Sequence, residues 1–213
     1  MKPALTVRET KRRADILAAA TRLFLQHGYA PTTMDAIASR ARVTKQTVYA
    51  YFPNKNALFQ QMIVALCEKY TSLDNMADAK RPLPEQLYQI GLALGDWVSH
   101  PDVLAATRLV IAESKNHPKL AQLYYESGTQ RVIGALAAYL AQQNALDALH
   151  IGDCASAASY FFAMLKGQYY LRLMLRAKPF PARHEKEQHV RETVELFLRA
   201  YGGKNPLLTK SAL

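Results

Sequence analysis

The sequence predicts an all-α protein of about nine helices. Apolar residues recur at spacings of three and four residues along almost the whole chain, which is the period of an amphipathic helix. Thr or Asn precedes several of these runs, where a helix N-terminus needs a capping side chain. With 213 residues, half of them hydrophobic, the chain can bury a substantial core without metals or disulfides.

Four helices are expected in the first third of the chain. An amphipathic stripe runs through residues 10–27, and Gly28 supplies a natural stop. A short second helix is expected after Thr33, a third after Thr44 and a fourth after Asn54, since all three residues are good N-caps. Their expected ranges are 34–41, 45–51 and 55–70.

Five further helices are expected after Pro82 and Pro84, which break the helical pattern. Their predicted ranges are 85–99, 102–115, 118–143, 153–177 and 185–201. The expected organisation is therefore a three-helix N-terminal domain over residues 1–56, followed by a helical domain over residues 57–213. The two cysteines, Cys67 and Cys154, do not suggest a disulfide framework, and no apolar run is long enough to span a bilayer. We therefore expect a soluble, cytoplasmic protein.

The basic charge is concentrated near the N-terminus. The chain carries a formal net charge of +10, and residues 1–70 hold eleven Lys and Arg against four Asp and Glu, a net +7. Such a field favours a polyanionic partner, either nucleic acid or an anionic membrane surface. A cluster at Arg8, Lys11, Arg12 and Arg13 is compatible with a DNA-contacting arm or with a solvated basic tail.

The second and third predicted helices have the spacing of a helix-turn-helix, in which the later helix enters the major groove of DNA. That helix reads Thr44-Lys45-Gln46-Thr47-Val48-Tyr49-Ala50-Tyr51. Gln pairs well with adenine and Thr with a base edge or a thymine methyl, while Lys and Tyr reach phosphate oxygens. Thr33, Thr44 and Lys55 lie at helix N-termini, where free N–H groups attract phosphate.

The segment from Gly28-Tyr29 through Thr32-Thr33-Met34-Asp35-Ala36-Ile37-Ala38 and Val43 to Leu58 resembles the DNA-binding domain of the TetR family of bacterial repressors. This resemblance implies phosphate contacts from Thr33, Tyr49, Tyr51 and Lys55, and base contacts from Lys45, Gln46 and Thr47. Arg42 stands where the family usually has Gly. A left-handed backbone at this position would be mildly strained, but the guanidinium can contact phosphate.

The C-terminal domain is similar to the effector domains of a TetR subgroup that includes multidrug-efflux and quorum-sensing regulators. Three stretches carry this similarity: Arg108–Ser114, Pro118–Ala121 and Phe161–Gly167. The resemblance implies a small apolar or aromatic effector, whose binding releases the DNA. Candidate ligand contacts are aromatic and soft side chains, although ordinary core packing is the alternative for each. They are Trp97, Tyr124, Tyr160, Phe161 and Met164.

The last two predicted helices are candidates for a homodimer interface in the form of a four-helix bundle. Their apolar stripes predict the interface residues Phe162, Leu165, Tyr169, Leu173, Val190, Val194 and Phe197. A two-fold dimer would set its recognition helices roughly 34 Å apart, which demands a near-palindromic operator.

Other functional classes lack supporting motifs. The sequence has no nucleophile elbow and no Gly-rich phosphate loop, so an enzyme is not expected. The six histidines do not pair at i, i+4, so neither a metal site nor a cofactor is expected. A redox sensor using Cys67 or Cys154 and a membrane-surface protein remain as alternatives.

Overall fold

The computed structural model describes residues 6–70, 81–177 and 182–202. Within these ranges the chain forms ten α-helical segments: α1 (Val7–His27), α2 (Met34–Ala41), α3 (Lys45–Tyr51), α4 (Lys55–Tyr70), α5 (Leu83–Ser99), α6 (Pro101–Glu113), α7 (Pro118–Tyr124), α8 (Arg131–Ala145), α9 (Cys154–Met174) and α10 (Arg183–Tyr201). A π-helical segment, Tyr125–Gln130, joins α7 to α8. The α7–α8 stretch therefore corresponds to one predicted helix, and the all-α prediction is confirmed.

Side-chain caps define where the short helices begin. The Thr33 hydroxyl accepts a hydrogen bond from the Ala36 N–H at 3.1 Å at the start of α2. Thr44 caps α3 in the same way, and the Asn54 side chain accepts from the Ala57 N–H at 2.9 Å at the start of α4. These three caps confirm the predicted starts. The first helix begins earlier than predicted because Thr6 and Glu9 form a capping box.

The first of two compact units contains residues up to Leu66 together with residues 105–128. In this unit α1 packs on α2 and α2 packs on α3. An aromatic cluster of Phe24, Tyr29 and Phe59 has ring centroids 5.6–5.8 Å apart. The unit extends beyond the predicted boundary at residue 56, because Phe59 and Met62 of α4 are fully buried.

The second unit contains residues 67–104 and 129 onwards. Helix α5 packs against α9 and α10, and α8 packs against α9. The buried face of α5 includes Leu87, Ile90, Leu94 and Trp97. Among the residues with described structure, the β pairing consists of one isolated bridge between Leu149 and Gly202.

Helix α9 contains a break that periodicity did not predict. Gly167 has φ 47° and ψ −157°, so the backbone leaves the helical region there. A positive φ favours glycine, and a Cβ at this position would lie 3.0 Å from two ring atoms of His189 in α10. The His189 Nε2 in turn lies 2.9 Å from the Met164 carbonyl oxygen. Since a carbonyl accepts, Nε2 donates in this bond.

Candidate DNA-binding site

The face of α3 that was predicted to read DNA points toward solvent. Val48 is fully buried and anchors the helix. Gln46 and Tyr49 are exposed, with 44% of the Tyr49 surface accessible, and Thr47 is half-buried. The Thr44 and Thr47 hydroxyl oxygens lie 2.8 Å apart, so one donates to the other. Helix α3 therefore presents donors and acceptors on a rigid, capped element.

Two further candidates lie beside this face. Thr33 is exposed at the start of α2, where its hydroxyl oxygen serves as the cap acceptor. Since an uncharged hydroxyl also carries one donor, the Thr33 O–H can point at a phosphate oxygen. Tyr51, at the end of α3, is half-buried. Its ring is thus partly held by the protein.

Lys45 is exposed and paired with Asp35. Its Nζ lies 2.9 Å from both carboxylate oxygens of Asp35. The hydrogen bond and the charge of Asp35 raise the pKa of Lys45. A solvent-exposed pair of this kind is easily exchanged. Lys45 can therefore turn from Asp35 to a phosphate or a base without leaving a buried charge behind.

Lys55 has a structural contact that the sequence did not reveal. Its ammonium donates to the carbonyl oxygens of Tyr29 at 2.9 Å and Ala30 at 3.1 Å. It also lies 4.3 Å from the centroid of the Tyr29 ring, and burial lowers the pKa of Lys55. The Tyr29 hydroxyl hydrogen-bonds the Asn56 side chain. Lys55 thus fixes the turn after α1 to the start of α4.

Three arginines line one open recess of the N-terminal unit. Arg42 caps α2 in the left-handed conformation, with φ 56° and ψ 43°, as its position in the turn predicted. Together with Arg22, Arg40 and the carboxylate of Asp15 it lines a recess of ≈ 310 Å³. The sequence analysis missed Arg22 and Arg40. The Arg40-x-Arg42 spacing was a signal, but the approach of Arg22 from α1 depends on tertiary packing.

The basic residues near the N-terminus belong to a helix rather than to an extended arm. Arg8, Lys11, Arg12 and Arg13 all lie in α1. The Arg13 guanidinium hydrogen-bonds the Gln61 side chain and lies 5.2 Å from the centroid of the Phe52 ring. These residues therefore form neither an extended arm nor a loose tail, because the capping box at Thr6 starts the helix before them. A contact of their side chains with DNA stays a prediction.

The five predicted ligand contacts fall in both compact units and differ in exposure. Phe161 is fully buried and packs edge-on against Phe197, whereas Tyr160 is 59% exposed on the same helix. Tyr124 belongs to the N-terminal unit, where its hydroxyl lies 2.6 Å from the Thr107 hydroxyl. Met164 is half-buried.

Trp97 retains a feature expected of a ligand contact. The side chain is 3% exposed and packs against Phe162 with ring centroids 5.9 Å apart. Its indole Nε1–H is buried, and no acceptor in the described part of the chain pairs with it. A buried donor without an acceptor is unfavourable. A bound ligand would remove this penalty if one of its oxygen atoms accepted a hydrogen bond from the indole N–H.

Most of the predicted dimer-interface side chains are core residues of a single protomer. Phe162, Leu165, Val190, Val194 and Phe197 are each at most 5% exposed, because they hold α5, α9 and α10 together. Tyr169 and Leu173 line a groove among the same helices. The large apolar side chains that α9, its C-terminal end and α10 leave exposed are different ones. They are Tyr160, Leu171, Leu175 and Leu196.

Two features are absent from the described residues. None of their helices is both long and apolar enough to cross a bilayer. In the same ranges, no three His, Cys, Asp or Glu side chains are grouped closely enough to hold a metal ion.

Comparison with known proteins extends over both parts of the chain. Residues 16–62 match the sequence profile of bacterial regulatory proteins of the tetR family. Residues 85–203 match the profile of the AefR-like transcriptional repressor C-terminal domain. The HTH-type regulator YhgD of Bacillus subtilis (strain 168) is 37% identical over 84 residues, which cover 39% of this chain and 44% of YhgD. The chain thus spans less than half the length of that relative.

Solved structures match over nearly the full length. A TetR-family transcriptional regulator of Mesorhizobium loti MAFF303099 is 28% identical with a TM-score of 0.80, covering 92% of this chain and 100% of that one. The flavonoid-responsive regulator FrrA is 33% identical with a TM-score of 0.76, covering 92% and 99%. With the C-terminal profile spanning more than half of its residues, this chain belongs to the TetR family of bacterial transcriptional regulators.

Proposed function

We propose that this chain is a sequence-specific DNA-binding repressor that acts as a homodimer and leaves a near-palindromic operator when a small apolar or aromatic effector binds. The observation that supports this most directly is the geometry of α3. Gln46 and Tyr49 are exposed above a buried Val48, so the helix can enter a major groove without unfolding its core. A regulator of this kind acts in the cytoplasm and is not an enzyme.

The proposed DNA contacts divide into reading and positioning groups. Gln46, Thr47 and Lys45 would contact base edges, because their side chains project from the start of α3. Positioning contacts to phosphate would come from Thr33, Arg42, Thr44, Tyr49, Tyr51 and Lys55. Lys55 has one N–H beyond the two that bind carbonyls, so its contribution to phosphate binding is secondary to its role in the fold. We add Arg22 and Arg40 to the positioning group, since they line the recess with Arg42.

The effector is proposed to contact the second unit. FrrA, a relative over almost the whole chain, is described as flavonoid-responsive, which supports an aromatic effector. Trp97 offers a large ring and an unpaired buried N–H, both suited to such a ligand. Phe161, Tyr160, Met164 and Tyr124 stay predictions as ligand contacts.

The dimer is proposed to form through α9 and α10. The exposed side chains Tyr160 and Leu171 of α9 and Leu196 of α10 provide an apolar surface, and apolar surface is what a stable protein interface buries. The buried residues predicted from the sequence would then support the interface from inside each protomer. Two copies related by a two-fold axis would read two half-sites about 34 Å apart.

Release is proposed to be a shift between two populations. The chain passes from the first unit to the second within α4, after Leu66. An effector that binds one placement of α4 better than another would favour that placement. A coupling free energy of about 3 kcal/mol would lower operator affinity more than a hundredfold.

Footprinting on the DNA flanking the gene tests this function. We expect protection of a near-palindrome, with affinity that falls steeply as salt rises. The Gln46→Ala variant should lose discrimination at one position in each half-site, by about 1–3 kcal/mol. Gln60→Ala, at another exposed glutamine outside α3, is the matched control and should retain full selectivity. Protection that ignores sequence, or unchanged selectivity in Gln46→Ala, would contradict the proposal.

A further inference from the structure

A groove in the second unit is lined by side chains of three helices. It lies among α5, α9 and α10 and is open to solvent along one side. Its enclosed part is small, ≈ 40 Å³, so a ligand there would be only partly covered. The groove is distinct from the buried position of Trp97, but the two are linked, because Trp97 packs on Phe162 and Phe162 lies under the Lys166 ammonium.

Lys166 places a cation in this groove. Its Nζ lies 4.6 Å from the centroid of the Phe162 ring and 5.0 Å from that of the Tyr170 ring. The side chain is half-buried, and burial lowers the pKa of Lys166. Within residues 6–70, 81–177 and 182–202, no carboxylate or hydrogen-bond acceptor pairs with its ammonium. A partly desolvated charge that contacts only rings is stabilised further by an anion.

The other polar groups of the groove leave this charge uncompensated. The Lys186 Nζ donates to the Ser99 hydroxyl at 3.2 Å, and His189 is bonded to the Met164 carbonyl. Asp96 is the one carboxylate among the groove-lining residues, against Lys166 and Lys186. The lining therefore carries an excess of positive charge, which favours an anionic ligand.

The walls of the groove suit a flat apolar body. Tyr169 and Tyr170 line one side, and Leu92, Val98 and Leu173 contribute aliphatic surface. Gly95 also lines the groove, and a Cβ at Gly95 would meet no atom within 4 Å. The space above Gly95 is therefore open.

We propose that this groove binds a small aromatic anion, whose carboxylate pairs with Lys166 and whose ring packs between the tyrosines and the aliphatic wall. The proposal rests on the proposed function in one respect, namely that this anion is the effector, and it places the effector in the groove instead of at Trp97. It narrows the proposed effector from any apolar or aromatic molecule to an aromatic acid. It also places the negative charge of the ligand at Lys166, which was not among the ligand contacts predicted from the sequence.

Calorimetry on the full chain without DNA tests the site, with 2-naphthoate as the probe and 2-naphthamide as its uncharged counterpart. We expect 2-naphthoate to bind the natural protein more tightly than the amide. The Lys166→Met variant keeps the length and the apolar stem of the side chain, and should bind 2-naphthoate at least tenfold more weakly. Its affinity for the amide should not change. Lys119→Met, at an exposed lysine of α7, is the matched control and should behave as the natural protein.

A second variant tests whether the ligand lies in the groove, independently of the charge of Lys166. Gly95→Leu puts a side chain into the open space and improves helix propensity, so it should block both probes while the helical circular dichroism and the melting temperature are maintained. The site assignment would be overturned by absence of 2-naphthoate binding at millimolar concentration, by equal binding to Lys166→Met, or by binding unaffected in Gly95→Leu. A Gly95→Leu protein with an altered oligomeric state would also overturn it, since the groove would then be a contact with a second copy.

A separate measurement distinguishes this inference from the proposed function. Operator release by 2-naphthoate is followed by fluorescence anisotropy of labelled DNA. Binding in the groove without release would retain the ligand site and overturn its effector role. Failure to bind any operator would overturn the proposed function, and the calorimetric result would stand unaffected.

Discussion

The two compact units hold their partly buried lysines in opposite ways. In the N-terminal unit the Lys55 ammonium donates to two backbone carbonyls. In the second unit the Lys166 ammonium lies over two aromatic rings and pairs with no acceptor in the described ranges. Carbonyl oxygens satisfy an ammonium, whereas rings compensate only part of its lost hydration. The first lysine is therefore part of the fold, and the second is available to a ligand.

The sharpest test of this difference is to replace each lysine by methionine. Lys55→Met leaves the carbonyls of Tyr29 and Ala30 without their donor, so we expect the free energy of unfolding to fall by about 1–3 kcal/mol. Lys166→Met removes a partly buried charge that lacks an anion, so we expect stability to be unchanged or slightly higher. Urea unfolding of the two variants under identical conditions measures both effects.

A loss of stability in Lys166→Met as large as that in Lys55→Met would remove the distinction between the two sites. Lys45→Met provides the control within the first unit. Its pairing with Asp35 is solvent-exposed, so its removal should affect DNA binding rather than folding.

The buried thiol of Cys67 makes the stability of the protein depend on pH. Burial raises the pKa of the Cys67 thiol to about 11 from an ordinary value of 9.0. The unfolded chain then loses this proton at lower pH than the folded chain, so stability decreases as pH rises above 9. Between pH 9 and 10 this thiol alone lowers the free energy of unfolding by about 1 kcal/mol. Urea unfolding of the natural protein and Cys67→Ala at both pH values should show a shallower decrease in the variant.

A Cys67→Ala protein with the same pH dependence would show that the thiol is not protected by burial, and would revive the redox-sensor interpretation for this residue. Half-buried Cys154 is the internal comparison for labelling. A thiol reagent at pH 8 should modify the partly accessible Cys154 in the folded protein. It should react with Cys67 only after unfolding, because the thiolate is the reactive form and burial keeps the Cys67 thiol protonated.

The smallest expected effect is at Arg42, which is the C-cap of α2 in the left-handed conformation. Arg42→Gly should raise stability by about 0.5–1 kcal/mol, since glycine adopts this conformation with less strain. It should also lower the salt dependence of operator binding by about one phosphate contact. Arg40→Gly, in the last turn of the same helix, should instead lower stability by about 1 kcal/mol. An unstable Arg42→Gly protein would mean that the arginine side chain contributes to folding.

How much of the molecule the sequence could predict depends on how local the determining contacts are. Thr33, Thr44 and Asn54 cap helices that begin one residue later, so their positions were readable from neighbouring residues. The outward face of α3 followed from the same local pattern. The role of Lys55 was not readable, because its partners lie 25 and 26 residues earlier in the chain.

The second unit was harder to predict for the same reason. Periodicity located α9 and α10 but did not distinguish side chains packed inside a protomer from those on its surface, since both lie on apolar stripes. Phe162 and Leu165 were therefore expected at a subunit interface and are found in the core. Likewise, the groove around Lys166 requires three helices to meet, which no spacing along a single helix encodes.

The break at Gly167 has a consequence for the order in which the chain acquires its shape. The hydrogen bond that accompanies the break joins Met164 to His189, 25 residues later. During synthesis the segment around Gly167 leaves the ribosome before its partner exists, and it cannot form this contact until α10 has emerged. The bend in α9, and the side of the groove that depends on it, is thus one of the last features that a nascent chain can complete.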